Sequence, residues 1–83
     1  MTSIALNLAN ACRIVDDVEY ERVEHAENDY LQAAAVLRKY GVLANNAGGF
    51  GAMLALAHHS AEHYQNCLNT LNAHWDGIGE WQH

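Results

Sequence analysis

Apolar residues recur at spacings of three and four along most of the chain, which is the period of an α-helix. No stretch shows the sustained alternation of a β-strand, there is no proline, and the six glycines fall in three places. Glycine commonly follows the last residue of a helix, so these places divide the helical pattern into segments. The pattern predicts an all-α fold, a small antiparallel bundle of about three helices forming one domain over residues 1–83.

The three helices are expected at residues 3–16, 18–40 and 52–76, with a turn at residues 41–51. Thr2 or Ser3 is the candidate N-cap of the first helix. The apolar stripe of the first helix does not continue in register into the second, which predicts a break or kink near residues 16–20. The three stripes consist of Ile4, Leu8, Ala11, Val15 and Val18; of Val23, Ala26, Tyr30, Ala33, Leu37 and Tyr40; and of Ala57, Ala61, Tyr64, Leu68, Leu71 and Trp75.

Gly41 follows the second stripe at the position of a C-cap glycine. Arg38 and Lys39 precede it, where positive charge suits the carboxyl end of a helix. We therefore expect the second helix to end at residue 40.

A chain of 83 residues buries only about 60–65% of the surface that it exposes when unfolded. Three helices of this size leave little core, so a homodimer or higher oligomer is expected to cover the remaining apolar edges. No apolar run approaches the roughly 18 residues of a membrane span, and the first residues do not form a secretory signal. The sequence thus predicts a cytoplasmic protein with no membrane partner. Cys12 and Cys67 are too few for a disulfide framework and are expected to be reduced.

Charge is distributed very unevenly along the chain. Seven of the ten acidic residues lie between Asp16 and Asp29, whereas residues 41–83 contain five of the six histidines and no Lys or Arg. The net charge is −6. A chain of this charge pattern does not neutralise phosphates, so direct binding of nucleic acid is not expected.

The acidic run predicts an interaction surface for a basic protein. If residues 17–30 are helical, Asp17, Glu21 and Glu24 form an exposed negative ridge, with Tyr20 beside them as an aromatic anchor. Such a ridge would dock on a basic partner site, including the site of a nucleic-acid-binding protein. Small inhibitors of the phage anti-defence and immunity-protein types are similar in size and charge. The leading hypothesis is therefore a non-catalytic inhibitor or adaptor; an ordinary solvated helix face is the simpler explanation of the same residues.

The first alternative is a helical oligomer that binds metal or senses pH. His59, His63 and Cys67 stand at i, i+4 and i+8 of the predicted third helix. Only two adjacent ligands on one helix can reach the same ion, so a closed zinc site would need further ligands from elsewhere. Histidines that are solvated or lie at an interface are the simpler explanation of the same pattern, and no cofactor is predicted.

The second alternative is a structural helical-hairpin protein. The string Trp75-Asp76-Gly77 resembles the Trp-x-Gly form of small type VII secretion substrates, which carry it at the mid-chain turn, whereas here it stands near residue 83. No Ser or Cys is paired with a recognisable base, so an enzyme is not expected.

Overall fold

The computed structural model describes residues 3–19 and 27–81, with the backbone alone at residue 27. This part of the chain is all-helical, as the sequence predicts, and contains three helices and no strand. They are α1 at Ile4–Glu19, α2 at Glu27–Ala61 and α3 at Cys67–His74.

The first helix begins as expected and ends later than expected. The Ser3 side chain accepts a hydrogen bond from the Leu6 backbone N–H at 3.0 Å, which confirms Ser3 as the N-cap. The helix continues through Asp16 to Glu19, so the prediction that a second helix starts at residue 18 was wrong.

The second helix has a sharp internal kink. At about 1.5 Å per residue a straight helix of 35 residues would be about 52 Å long, whereas the longest dimension of the molecule is 35 Å. The backbone leaves the helical conformation at Gly48 and Gly49, and Gly49 has a φ of 68°. We call residues 27–47 the first arm of α2 and residues 50–61 its second arm.

The predicted turn at residues 41–51 was wrong, because only the Gly48-Gly49 pair interrupts the helix. Gly41 is not a C-cap. A Cβ atom at Gly41 would lie 2.7 Å from Nε1 of Trp75 and 2.9 Å from Cδ1 of Ile78. The Trp75 indole N–H donates to the Leu37 carbonyl at 2.6 Å. Gly41 is therefore needed because the indole packs directly on the backbone of α2.

The predicted third helix at residues 52–76 is also interrupted, since α2 ends at Ala61 and α3 begins at Cys67. Ser60 donates to the Leu56 carbonyl at 2.9 Å, a bond that weakens a helix slightly. Tyr64 and Asn66, which lie in the interruption, both donate to the side chain of Asp16. These tertiary bonds stabilise a turn at a place where the apolar spacing is helical.

The core lies among all three helices and the segment after α3. Trp75, Leu8, Leu37, Met53 and Leu71 are its largest fully buried apolar side chains. Trp81 packs edge-on against Trp75, with ring centroids 5.0 Å apart. Across residues 3–19 and 27–81, the helices are too short or too polar to cross a lipid bilayer.

Candidate functional site

The last turn of α1 is acidic and contains no basic residue. Asp16, Asp17 and Glu19 occupy three of its last four positions. Negative charge is unfavourable at this end of a helix, where the backbone carbonyls have no partners within the helix. The sequence therefore places charge here against the preference of the helix itself.

Asp16 points inward and joins α1 to the segment around the start of α3. It is 1% exposed. Its Oδ2 accepts hydrogen bonds from the Tyr64 hydroxyl at 2.5 Å and from Nδ2 of Asn66 at 2.6 Å. Its Oδ1 accepts one from the Thr70 hydroxyl at 2.6 Å. A buried polar group is costly without such partners, so Asp16 stabilises the fold and is not part of the outer surface.

Glu19 joins the ends of all three helices. Its Oε1 lies 3.1 Å from the Tyr30 hydroxyl, near the start of α2, and 3.1 Å from Nε2 of His74, at the end of α3. Burial, followed by the hydrogen bond to Glu19 and its charge, raises the pKa of Tyr30 above the ordinary value. The contact brings the end of α1 next to the start of α2.

The start of α2 adds exposed negative charge to the same end of the molecule. Asp29 is exposed and lies one residue before Tyr30, which contacts Glu19. We define the acidic end by Asp17, Glu19 and Asp29.

Three of the four residues predicted to bind a partner lie outside the described residues, namely Tyr20, Glu21 and Glu24. The fourth, Asp17, is half-buried in the last turn of α1. The negative ridge therefore stays a prediction, and its first member is less exposed than the sequence pattern implied.

The metal candidates do not lie on one helix. His59 is exposed near the end of α2, where Nδ1 lies 3.9 Å from Oε2 of Glu62. His63 is exposed in the interruption, and Cys67 is fully buried at the start of α3. Among residues 3–19 and 27–81, no three His, Cys, Asp or Glu side chains are arranged to hold a metal ion. The metal hypothesis depended on His59, His63 and Cys67 lying on one helix, and in the structure they do not.

The two thiols lie together in the core, both fully buried and free. A hydrogen bond with Cys67, followed by burial and nearby negative charge, raises the pKa of the Cys12 thiol far above its ordinary value. Because the thiolate is the reactive form, this environment makes Cys12 a poor nucleophile.

The Asp16 network was not predicted from the sequence, although a signal was present. Leu8, Cys12 and Asp16 follow one another at intervals of four residues, which places Asp16 on the same buried face of α1 as the other two. Nothing in the spacing of Tyr64, Asn66 and Thr70 identifies them as its donors, since they lie 48 to 54 residues away.

Comparisons of the chain with protein-family models, with curated proteins and with solved structures found no match in any of the three.

Proposed function

We propose that this chain is a non-catalytic interaction protein of the cytoplasm, an inhibitor or adaptor that docks its acidic end on a basic site of a partner protein. A site that ordinarily holds nucleic acid is one such basic site. The net charge of −6 favours approach to a positive surface.

The observation that carries this proposal is the acidic last turn of α1. A helix gains stability from positive charge in its last turn, yet α1 has three acids and no base there. The same segment continues in sequence through Glu21 and Glu24. Asp16 serves the fold, so the charge of this turn that can serve binding belongs to the half-buried Asp17 and the exposed Glu19.

Neutralising the ridge tests the proposal. The tagged chain and the double variant Glu21→Gln/Glu24→Gln are used to capture proteins from a lysate of the source organism, and the captured protein is then purified and titrated directly. We expect a partner with a basic surface, an affinity that falls with added salt, and a loss of roughly tenfold or more in the variant.

The matched control is Glu62→Gln/Glu80→Gln, which changes the net charge by the same amount. Both residues are exposed and far along the chain from α1. The control is expected to keep the wild-type affinity. Equal losses of affinity in the two double variants would show that only the net charge matters and not the position of the acids. No loss of affinity in either variant would contradict the proposal.

We further propose that the chain forms a homodimer through the outer face of the first arm of α2. Leu31 and Val42 are 56% and 43% exposed. They are eleven residues apart, about three helical turns, and so lie on one face. Ala35 and Arg38, both exposed, lie between them on this face, so the proposed contact is apolar at two positions with a charged residue between them.

A further inference from the structure

A groove of about 600 Å³ runs between α1 and the first arm of α2. Its floor contains two small buried side chains, Ala11 and Ala33. Exposed polar residues form its rims, with Asn10 on α1 and Asp29 and Gln32 on α2. The groove is therefore apolar at the bottom and polar at the edges.

The shape of the groove fits an additional helix, docked between α1 and α2. Alanines on the floor allow another backbone to approach closely, and helix axes pack 8–10 Å apart according to the size of the side chains between them. Ile14, Val36 and Tyr40 line the groove and are only half-buried, so their apolar contacts are incomplete. Residues 29–40 span about 16 Å along α2, which is about three turns of a docked helix.

The charge of the groove favours a basic residue at one end of that helix. Among the described residues that line it, Asp29 is the one with a charged side chain, and none is Lys or Arg. Asp29 belongs to the acidic end. At the other end, Ile4 and Leu43 are 53% and 50% exposed and lie about one turn beyond Asn7 and Tyr40, respectively.

We propose that the α1–α2 groove receives an amphipathic helix of the partner protein, with apolar side chains on the alanine floor and a Lys or Arg paired with Asp29. This inference rests on the proposed function and specifies the partner's contacting element. The apolar residues of such a helix would stand at i, i+3 or i+4, and i+7, the spacing of helices that bind in grooves.

Two synthetic peptides of identical composition test the proposal. One places Leu and Ala at helical spacing with Arg at one end, and the other has the same residues in scrambled order. Binding to the full chain is measured by fluorescence anisotropy, and the contacted residues are located by amide chemical-shift changes. We expect the amphipathic peptide to bind at least tenfold more tightly and to shift residues of α1 and the first arm of α2.

Two variants locate the binding to the groove. Asn10→Trp, at an exposed rim position, should reduce amphipathic-peptide binding at least tenfold by filling the groove, while circular dichroism confirms an unchanged fold. Asp29→Asn should weaken binding of the amphipathic peptide by about three- to fivefold. The same substitution should have no effect on a peptide whose terminal Arg is replaced by Gln. Glu80→Gln serves as the control and should leave binding unchanged.

The outcomes separate this inference from the proposed function. Equal binding of the two peptides, lost in Glu21→Gln/Glu24→Gln, would overturn the groove and leave the acidic docking surface standing. Peptide binding that depends on Asn10 but not on Glu21 and Glu24 would support the groove, and the partner titration with Glu21→Gln/Glu24→Gln would decide the ridge separately. If Asn10→Trp converts a dimer to a monomer without affecting peptide binding, the occupant is a second copy of this chain and the inference is overturned.

Discussion

At the scale of single residues, Asp16 shows how one carboxyl group connects distant parts of the chain. Its three donors come from residues 64–70, and each bond lies within 2.6 Å. Removing one donor from a buried acceptor costs more than the bond itself stabilises, because the remaining group stays buried without its partner.

We predict that Thr70→Val lowers the free energy of unfolding by about 2 kcal/mol, since it removes the hydroxyl that donates to Asp16. Urea unfolding followed by circular dichroism at a fixed protein concentration measures the change. Ser60→Ala is the matched control, because Ser60 is also a fully buried hydroxyl but bonds only within its own helix. Ser60→Ala should lower the free energy of unfolding by clearly less than Thr70→Val. Equal losses would contradict a larger contribution from the bond to Asp16.

At the scale of elements, two glycines in α2 have opposite roles. Gly41 lies under the Trp75 indole, whereas a Cβ atom at Gly51 would meet no other atom within 4 Å. Glycine in a helix interior is normally less stable than alanine by roughly 0.5–1 kcal/mol. The same substitution is therefore expected to act in opposite directions at the two positions.

We predict that Gly41→Ala destabilises the fold by about 1–3 kcal/mol, because the indole must move away from the Leu37 carbonyl. Gly51→Ala should instead raise stability by up to about 1 kcal/mol. Thermal unfolding of both variants at one concentration gives the comparison. Stabilisation by both substitutions would contradict the close approach of Trp75 to α2.

The helical period predicted the fold class and much of the core, including Leu8, Leu37, Leu71 and Trp75. It did not predict the helix ends. Gly41 stands in a sequence typical of a helix C-cap, but its role depends on Trp75, which lies more than thirty residues away in sequence. The interruption between Ala61 and Cys67 has a similar reason, because Tyr64 and Asn66 within it donate hydrogen bonds to Asp16 of α1. Tertiary contacts of this kind override local preference and leave little trace in local sequence.

The candidate site was partly predictable. The concentration of acids before residue 30 located the acidic end, and α1 carries three of them in its last turn. Spacing alone did not separate Asp16, which supports the core, from Asp17 and Glu19. Spacing could not predict the groove either, because its lining comes from two helices, with Ala11 on α1 and Ala33 on α2.

At the scale of the whole molecule, the face of α2 that carries the exposed Leu31 and Val42 is expected to decide the oligomeric state. Sedimentation equilibrium should give about twice the mass of one chain, and Leu31→Lys/Val42→Lys should give a monomer, because buried lysines oppose the contact. Leu54→Lys is the control, since Leu54 is 38% exposed on the second arm and lies outside the proposed face. A wild-type monomer at high concentration, or dissociation by Leu54→Lys alone, would contradict this dimer.

The Asp16 network also has a consequence for synthesis of the protein. A ribosome delivers Asp16 about fifty residues before its donors, which lie 48, 50 and 54 positions later. Until residues 64–70 have emerged, the carboxyl group lacks all three of the donors with which it is buried in the folded chain. The nascent chain is thus kept from completing its core early. A translation product that stops before α3 should remain unfolded and open to proteolysis.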